Sequence, residues 1–145
     1  MRRRLVLVLL PLWLLLAPVA QTEQKPEFQI IVHASNPAGS IQADNLSAYL
    51  LKKERLWPHG EAVRPVDQGR ESNVREAFSE AVHGRSVSTI DTYWQRQVFS
   101  GREIPPPKLA NSNDVVAFVA ANRGGVGYVL KGTRLEGVKT ISVVY

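Results

Sequence analysis

The sequence predicts an α/β fold in which a small mixed sheet is flanked by helices. Three observations carry that prediction. Short β-branched runs stand near both ends of the chain, Phe28-Gln29-Ile30-Ile31-Val32 and Val138 to Val144. Between them lie segments whose apolar residues recur at helical spacing. Stretches rich in Gly, Pro and Asn separate the two kinds of segment. The resulting order is strand, helix, strand, three helices, strand, strand, an alternation that covers a sheet with helices.

Phe28 to Val32 reads as a buried strand, and Asn36-Pro37-Ala38-Gly39-Ser40 as the turn that ends it. Asp44 is a candidate N-cap for a helix carrying Leu46, Tyr49 and Leu50, which must stop before Trp57-Pro58-His59-Gly60. Ala62 to Val66 suits a strand, with Pro65 confining it to an edge. A polar loop, Asp67 to Glu71, leads to Ser72 as the N-cap of a helix with the stripe Val74, Ala77, Phe78, Ala81 and Val82, ended by Gly84. Ser88 is the expected cap of a third helix with Ile90, Tyr93, Trp94, Gln97 and Val98, in which Trp94 and Phe99 anchor the core. Arg102 to Lys108 contains three consecutive prolines and reads as a stiff connector. Ser112 or Asn113 starts a last helix through Val115, Val116, Phe118 and Val119, and Val126 to Leu130 is the next strand. Within it, Gly127 is expected where a side chain would meet neighbouring backbone.

The 145 residues suit one domain, and the absence of cysteine excludes a disulfide framework, a cysteine nucleophile and a thiolate metal site. The formal charge of +5 misleads, because Arg2, Arg3 and Arg4 precede an apolar run from Leu5 to Ala17 and all 13 acidic residues lie after position 20. Residues 21–145 carry 15 basic against 13 acidic residues, which is no nucleic-acid-binding balance. The basic and apolar start has the composition of a secretory signal over residues 1–20, with cleavage after Ala20 and a retained anchor as the alternative. The expectation is an exported, periplasmic domain over residues 21–145.

His33, His59 and His83 share no metal-ligand spacing, and no nucleophile elbow, phosphate loop ending in Gly-Lys-Ser or calcium loop is present. Carboxylates stand singly, so no acid/base constellation points to an enzyme, and no cofactor is implied. The informative segment is Gln68-Gly69-Arg70-Glu71-Ser72-Asn73-Val74-Arg75. A glycine-containing polar loop enters a helix through a serine, with arginines on both sides. The N–H groups and partial positive charge of a helix start attract an anion, and Ser72, Asn73, Arg70, Arg75 and Gln68 are the candidate ligand residues. The structural alternative is an ordinary capped helix whose Arg75 pairs with Glu71 or Glu76 on the surface.

Asn45 to Lys52 followed by Leu56-Trp57-Pro58-His59-Gly60, the serine-led helix at Ser72, Tyr93-Trp94 with Phe99 to Arg102, and Gly124-Gly125-Val126-Gly127-Tyr128-Val129 resemble, in order and spacing, stretches of periplasmic phosphate-binding proteins. These are the receptor components of phosphate ABC transporters, and the resemblance covers one of their two lobes. It implies one lobe of a periplasmic-binding-protein-like fold and a non-catalytic role in binding phosphate or a similar oxyanion. It also implies a transporter permease, a sensor or a second copy of the chain as partner. In the family a Ser-Gly-Thr triplet holds phosphate with an arginine four residues earlier. Here the triplet is Ser72-Asn73-Val74, and Gln68 takes the arginine's place, with Arg70 two residues on. The rival implication is a periplasmic protein-interaction module that has lost its ligand.

Overall fold

The computed structural model describes residues 25–145. The export segment expected over residues 1–20 lies outside the described residues. Five strands form one mixed sheet: β1 (Phe28–His33), β2 (Ser40–Gln42), β3 (Arg64–Pro65), β6 (Gly125–Leu130) and β7 (Val138–Val144), in the order β2-β7-β1-β6-β3. β1 lies at the centre, antiparallel to β6 and β7, while β2 and β3 run parallel to β7 and β6 at the two edges. Pro65 therefore sits on an edge strand, where its missing N–H leaves no gap in the ladder.

The unbroken apolar run of β1 follows from burial on both faces. Ile30 and Val32 pack with Leu46, Tyr49, Trp57, Phe78 and Tyr128 on one side, while Ile31 packs with Val66, Val115, Val119 and Val129 on the other. The first side is covered by α1 (Ala43–Leu50) and α2 (Asn73–Phe78), the second by α4 (Ser112–Ala121). Trp57 is a packing plug whose indole N–H donates to the Gly124 carbonyl at 3.0 Å. α3 (Val87–Phe99) adds a small third cluster through Ile90, Trp94 and Leu51.

Several local expectations are corrected. The first helix is capped by Gln42 rather than Asp44, because β2 runs straight into it. Asp44 instead places its charge in the first turn, where the helix dipole favours it. Ser86, not Ser88, caps α3 and accepts from the Thr89 N–H at 3.3 Å. The loop expected over Asp67–Glu71 begins as a short strand, β4 (Asp67–Gln68), paired in parallel with β5 (Lys108–Leu109) at the end of the proline connector. After Phe78 the helix widens into a π-helical turn, Ser79–His83, which takes one residue more than the α register assumes. Ser79 consequently faces inward and donates to the Arg85 carbonyl at 2.7 Å, while Ala81 is exposed. Phe99 is exposed rather than anchored in the core. At Gly127 a Cβ would meet side chains, Val115 Cγ1 and Val66 Cγ1 at 2.8 Å each, not backbone.

Candidate functional site

The carboxyl end of β3 continues through Val66 into β4, and β4 leads into the start of α2. This stretch is positioned from the sheet. The Tyr128 phenol, on β6, donates to Asp67 Oδ1, which also accepts from the Gln68 N–H at 2.8 Å. Gln68 is buried; its amide N–H donates to the Tyr128 carbonyl at 2.8 Å, and its Oε1 accepts from Ser72 Oγ at 2.8 Å. Ser72 Oγ in turn accepts from the Arg75 N–H at 3.4 Å, the N-cap contact expected of it. Gln68 thus takes the Ser72 hydroxyl proton and anchors the cap from behind.

Arg75 is buried among carboxylates. Its Nε lies 3.4 Å from Asp67 Oδ2 and its Nη2 donates to Asp91 Oδ1 at 2.9 Å. The pairing with Glu71 or Glu76 on the surface is therefore corrected. At this position a guanidinium points under the helix and must find its charge partners in the interior. Asp91 is shared by three cations, accepting also from Arg70 Nη2 at 2.7 Å and Lys108 Nζ at 3.2 Å. Burial alone would push the Asp91 carboxyl up. The hydrogen bonds from Arg75 and Arg70 outweigh that and bring it down to about 2. Burial likewise opposes the Arg75 charge, but Asp67 and Asp91 more than offset it and raise its pKa. Burial and the Asp67 charge push the Tyr128 phenol up, so it remains a donor.

In front of this network lies a cleft of about 500 Å³, walled by the starts of two helices. Ser72 and Asn73 of α2 line one side, Ser86 and Ser88 of α3 the other, and Arg70 stands on the wall. Glu71, Glu76, Glu80 and Asp91 share the same lining. Of the five residues singled out in the sequence, Ser72, Asn73 and Arg70 line the cleft, while Gln68 and Arg75 are turned inward to the network that supports it. Asp91, Asp67, Tyr128 and Lys108 were not singled out. Asp91 carried a readable signal, since it interrupts the buried Ile90–Trp94 stripe of α3 with a carboxylate that needs a cation.

No protein-family model matches this sequence, and no curated protein matches it either. Solved structures do. An ABC-type phosphate transport receptor from Vibrio cholerae superposes with a TM-score of 0.64 at 16% identity, covering 81% of this chain and 46% of that one. PstS from Borrelia burgdorferi gives 0.62 at 11% identity, covering 81% and 47%. A Clostridium perfringens protein solved with bound phosphate gives 0.61 at 18% identity, covering 81% and 45%. The fold is that of phosphate-transport receptors. The chain spans a little under half the length of each, as the resemblance to a single lobe implied.

Proposed function

We propose that this domain is a non-catalytic, solute-binding-like module that recognises phosphate or a similar oxyanion weakly in the cleft between the starts of α2 and α3. The observation that carries the reading is the convergence of two serine-capped helix starts and the Arg70 guanidinium on one cleft. First-turn N–H groups have no partner within their own helix and favour an anion. Arg70 supplies a charge-assisted donor and Asn73 an amide, while Ser72, whose hydroxyl proton goes to Gln68, holds the helix start in place as its cap. Gln68 and Arg75 act from behind, the first by anchoring the Ser72 cap through its hydroxyl and the second by fixing Asp91, against which Arg70 rests. The four carboxylates on the walls keep affinity low. Because a carboxylate only accepts, they favour an oxyanion that keeps a proton to donate, as hydrogen phosphate does, over sulfate. The similarity to phosphate-transport receptors supports the ligand class. The composition of residues 1–20 supports an exported location, where a permease or sensor would be the partner.

Calorimetric titration tests this reading with phosphate and sulfate on the wild type, Arg70→Ala and Ser72→Ala. The expected result is binding of phosphate at millimolar or lower concentration, weakened about ten-fold or more by Arg70→Ala. Ser72→Ala should weaken it less, because backbone donors remain. Folded protein that gives no phosphate heat, or heat that Arg70→Ala leaves unchanged, would reject the site.

A further inference from the structure

A second cleft, also of about 500 Å³, runs along the outer face of α3 and is lined by Arg85, Thr89, Thr92, Arg96, Ser100 and Arg102, with no carboxylate in its lining. It is the chemical opposite of the cleft at the start of the same helix. None of its three arginines forms an ion pair among the described residues. The nearby carboxylate of Glu103 is already held by Arg55 and by Lys52 at 3.8 Å. Lys53 adds another cation, 5.6 Å above the Tyr93 ring on this face.

Exposed apolar side chains stand close in sequence to two of these arginines, Arg96 and Arg102. Phe99 is 90% exposed and Ile104, just past Arg102, is 67% exposed. At 100° per residue Phe99 lies about 60° around the helix from Arg96, on the outward side rather than toward the core. Leu56 is exposed on the segment that the Arg55–Glu103 pair ties to the same end of the molecule. Phe99 is three residues from both Arg96 and Arg102, and Ile104 two from Arg102, so bare apolar side chains alternate along the chain with arginines that form no ion pair among the described residues. Cations that bind phosphate esters, hydroxyls that donate to them and apolar side chains that enter the acyl boundary are together the requirements of an anionic lipid surface.

We propose that the carboxyl end of α3 is a membrane-docking surface for anionic phospholipid, with Arg96 and Arg102 on headgroup phosphates and Phe99 and Ile104 inserted between them. The surface is separate from the oxyanion cleft and does not depend on it. Placed here, docking leaves the cleft at the other end of α3 open to solution while the body of the domain stays out of the bilayer.

The absence of cysteine allows a clean test: Ile104→Cys introduces a single thiol for an environment-sensitive fluorophore. Labelled full-length protein is titrated with phosphatidylcholine vesicles with and without a minority of phosphatidylglycerol. The expected result is a blue shift with the anionic vesicles only, suppressed by high salt. Each arginine near such a surface contributes about 1 kcal/mol, so Arg96→Ala with Arg102→Ala should weaken the response about 30-fold. Phe99→Ala should reduce the shift, while a label at Ser142→Cys, on β7, should not shift. No shift on anionic vesicles overturns the proposal, as does a shift that ignores lipid charge and the arginines. A shift that grows with protein concentration in the absence of vesicles overturns it in favour of a second copy. Saturation by inorganic phosphate that abolishes vesicle binding at low ionic strength overturns it in favour of a free anion.

Discussion

Asp91 is the single carboxylate on which Arg70, Arg75 and Lys108 converge, so its removal should be felt far more than its size suggests. The three contacts are not equivalent. Arg70 is 74% exposed and Lys108 partly so, and pairs of that kind are each worth less than about 1 kcal/mol. Arg75 is 3% exposed and cannot turn to water. Removing one partner of a buried pair costs about 3–5 kcal/mol, because the remaining charge is left without compensation. Asp67 still lies 3.4 Å from Arg75 Nε, which puts the expected cost of Asp91→Ala near the lower end, about 3 kcal/mol. For a domain of this size that corresponds to a fall in Tm of roughly 12 °C. Urea unfolding followed by tryptophan fluorescence gives the number, and Trp94, three residues along α3, is a local reporter. Arg70→Ala is the internal standard and should cost under about 1 kcal/mol. The double variant Asp91→Ala with Arg75→Met removes both charges and should recover at least about 1 kcal/mol relative to the sum of the single losses. An Asp91→Ala loss no larger than that of Arg70→Ala, or simple additivity in the double variant, would refute the buried-hub argument.

Two further expectations concern the core and pH. Gly127→Val places a branched side chain against Val115 and Val66, both fully buried and stiff at χ1. The overpacking should cost about 1–3 kcal/mol or more by thermal melting, and an unchanged Tm would show that the α4–β6 contact is looser than described. His83 accepts or donates at Ser47 Oγ, 2.7 Å away, and burial, aided by Arg75, Lys53 and Arg85, lowers its pKa to about 4. The unfolded chain therefore binds that proton first, so stability falls as pH drops from about 6.5 toward 4, by roughly 2 kcal/mol at pH 5. Asp91, held at about 2, adds a second loss only below about 3.8. Urea midpoints at pH 7 and pH 5 check this: His83→Gln should remove the difference, and equal midpoints in the wild type would exclude a neutral, half-buried imidazole.

The long elements were legible because their residues report burial directly. Ile30, Ile31 and Val32 announce a strand covered on both sides, and Leu46, Tyr49 and Leu50 a helix with one inward face. Ser72 as a cap and Trp57 as a plug were equally readable. What escaped depends on partners distant in sequence. β4 and β5 are two residues each, and neither has a pattern without the other. The π-helical turn leaves no mark on a 3.6-residue period, so Ala81 was placed inward when Ser79 takes that place. Phe99 reads as core by composition and is placed outside by where α3 ends. For the site, the start of α2 could be found from Gly69, Ser72 and the arginines. The direction in which Arg75 points could not, because it is set by Asp67 and Asp91, contributed by two other elements.

The central position of β1 has a consequence for how the molecule comes into being. Ile31 faces Gly127 on one side and Thr140 on the other, partners about a hundred residues away along the chain. Closing a loop of that length costs about 4 kcal/mol in chain entropy before either ladder returns anything. The middle of the sheet therefore cannot be completed until β6 and β7 have both been made. Until β6 and β7 have emerged, the apolar run from Phe28 to Val32 has no strand to pair with, and the halves of the core on either side of it have no floor. Topology alone makes this domain a comparatively slow folder, one whose core stays open until Val138–Val144 is available to pair.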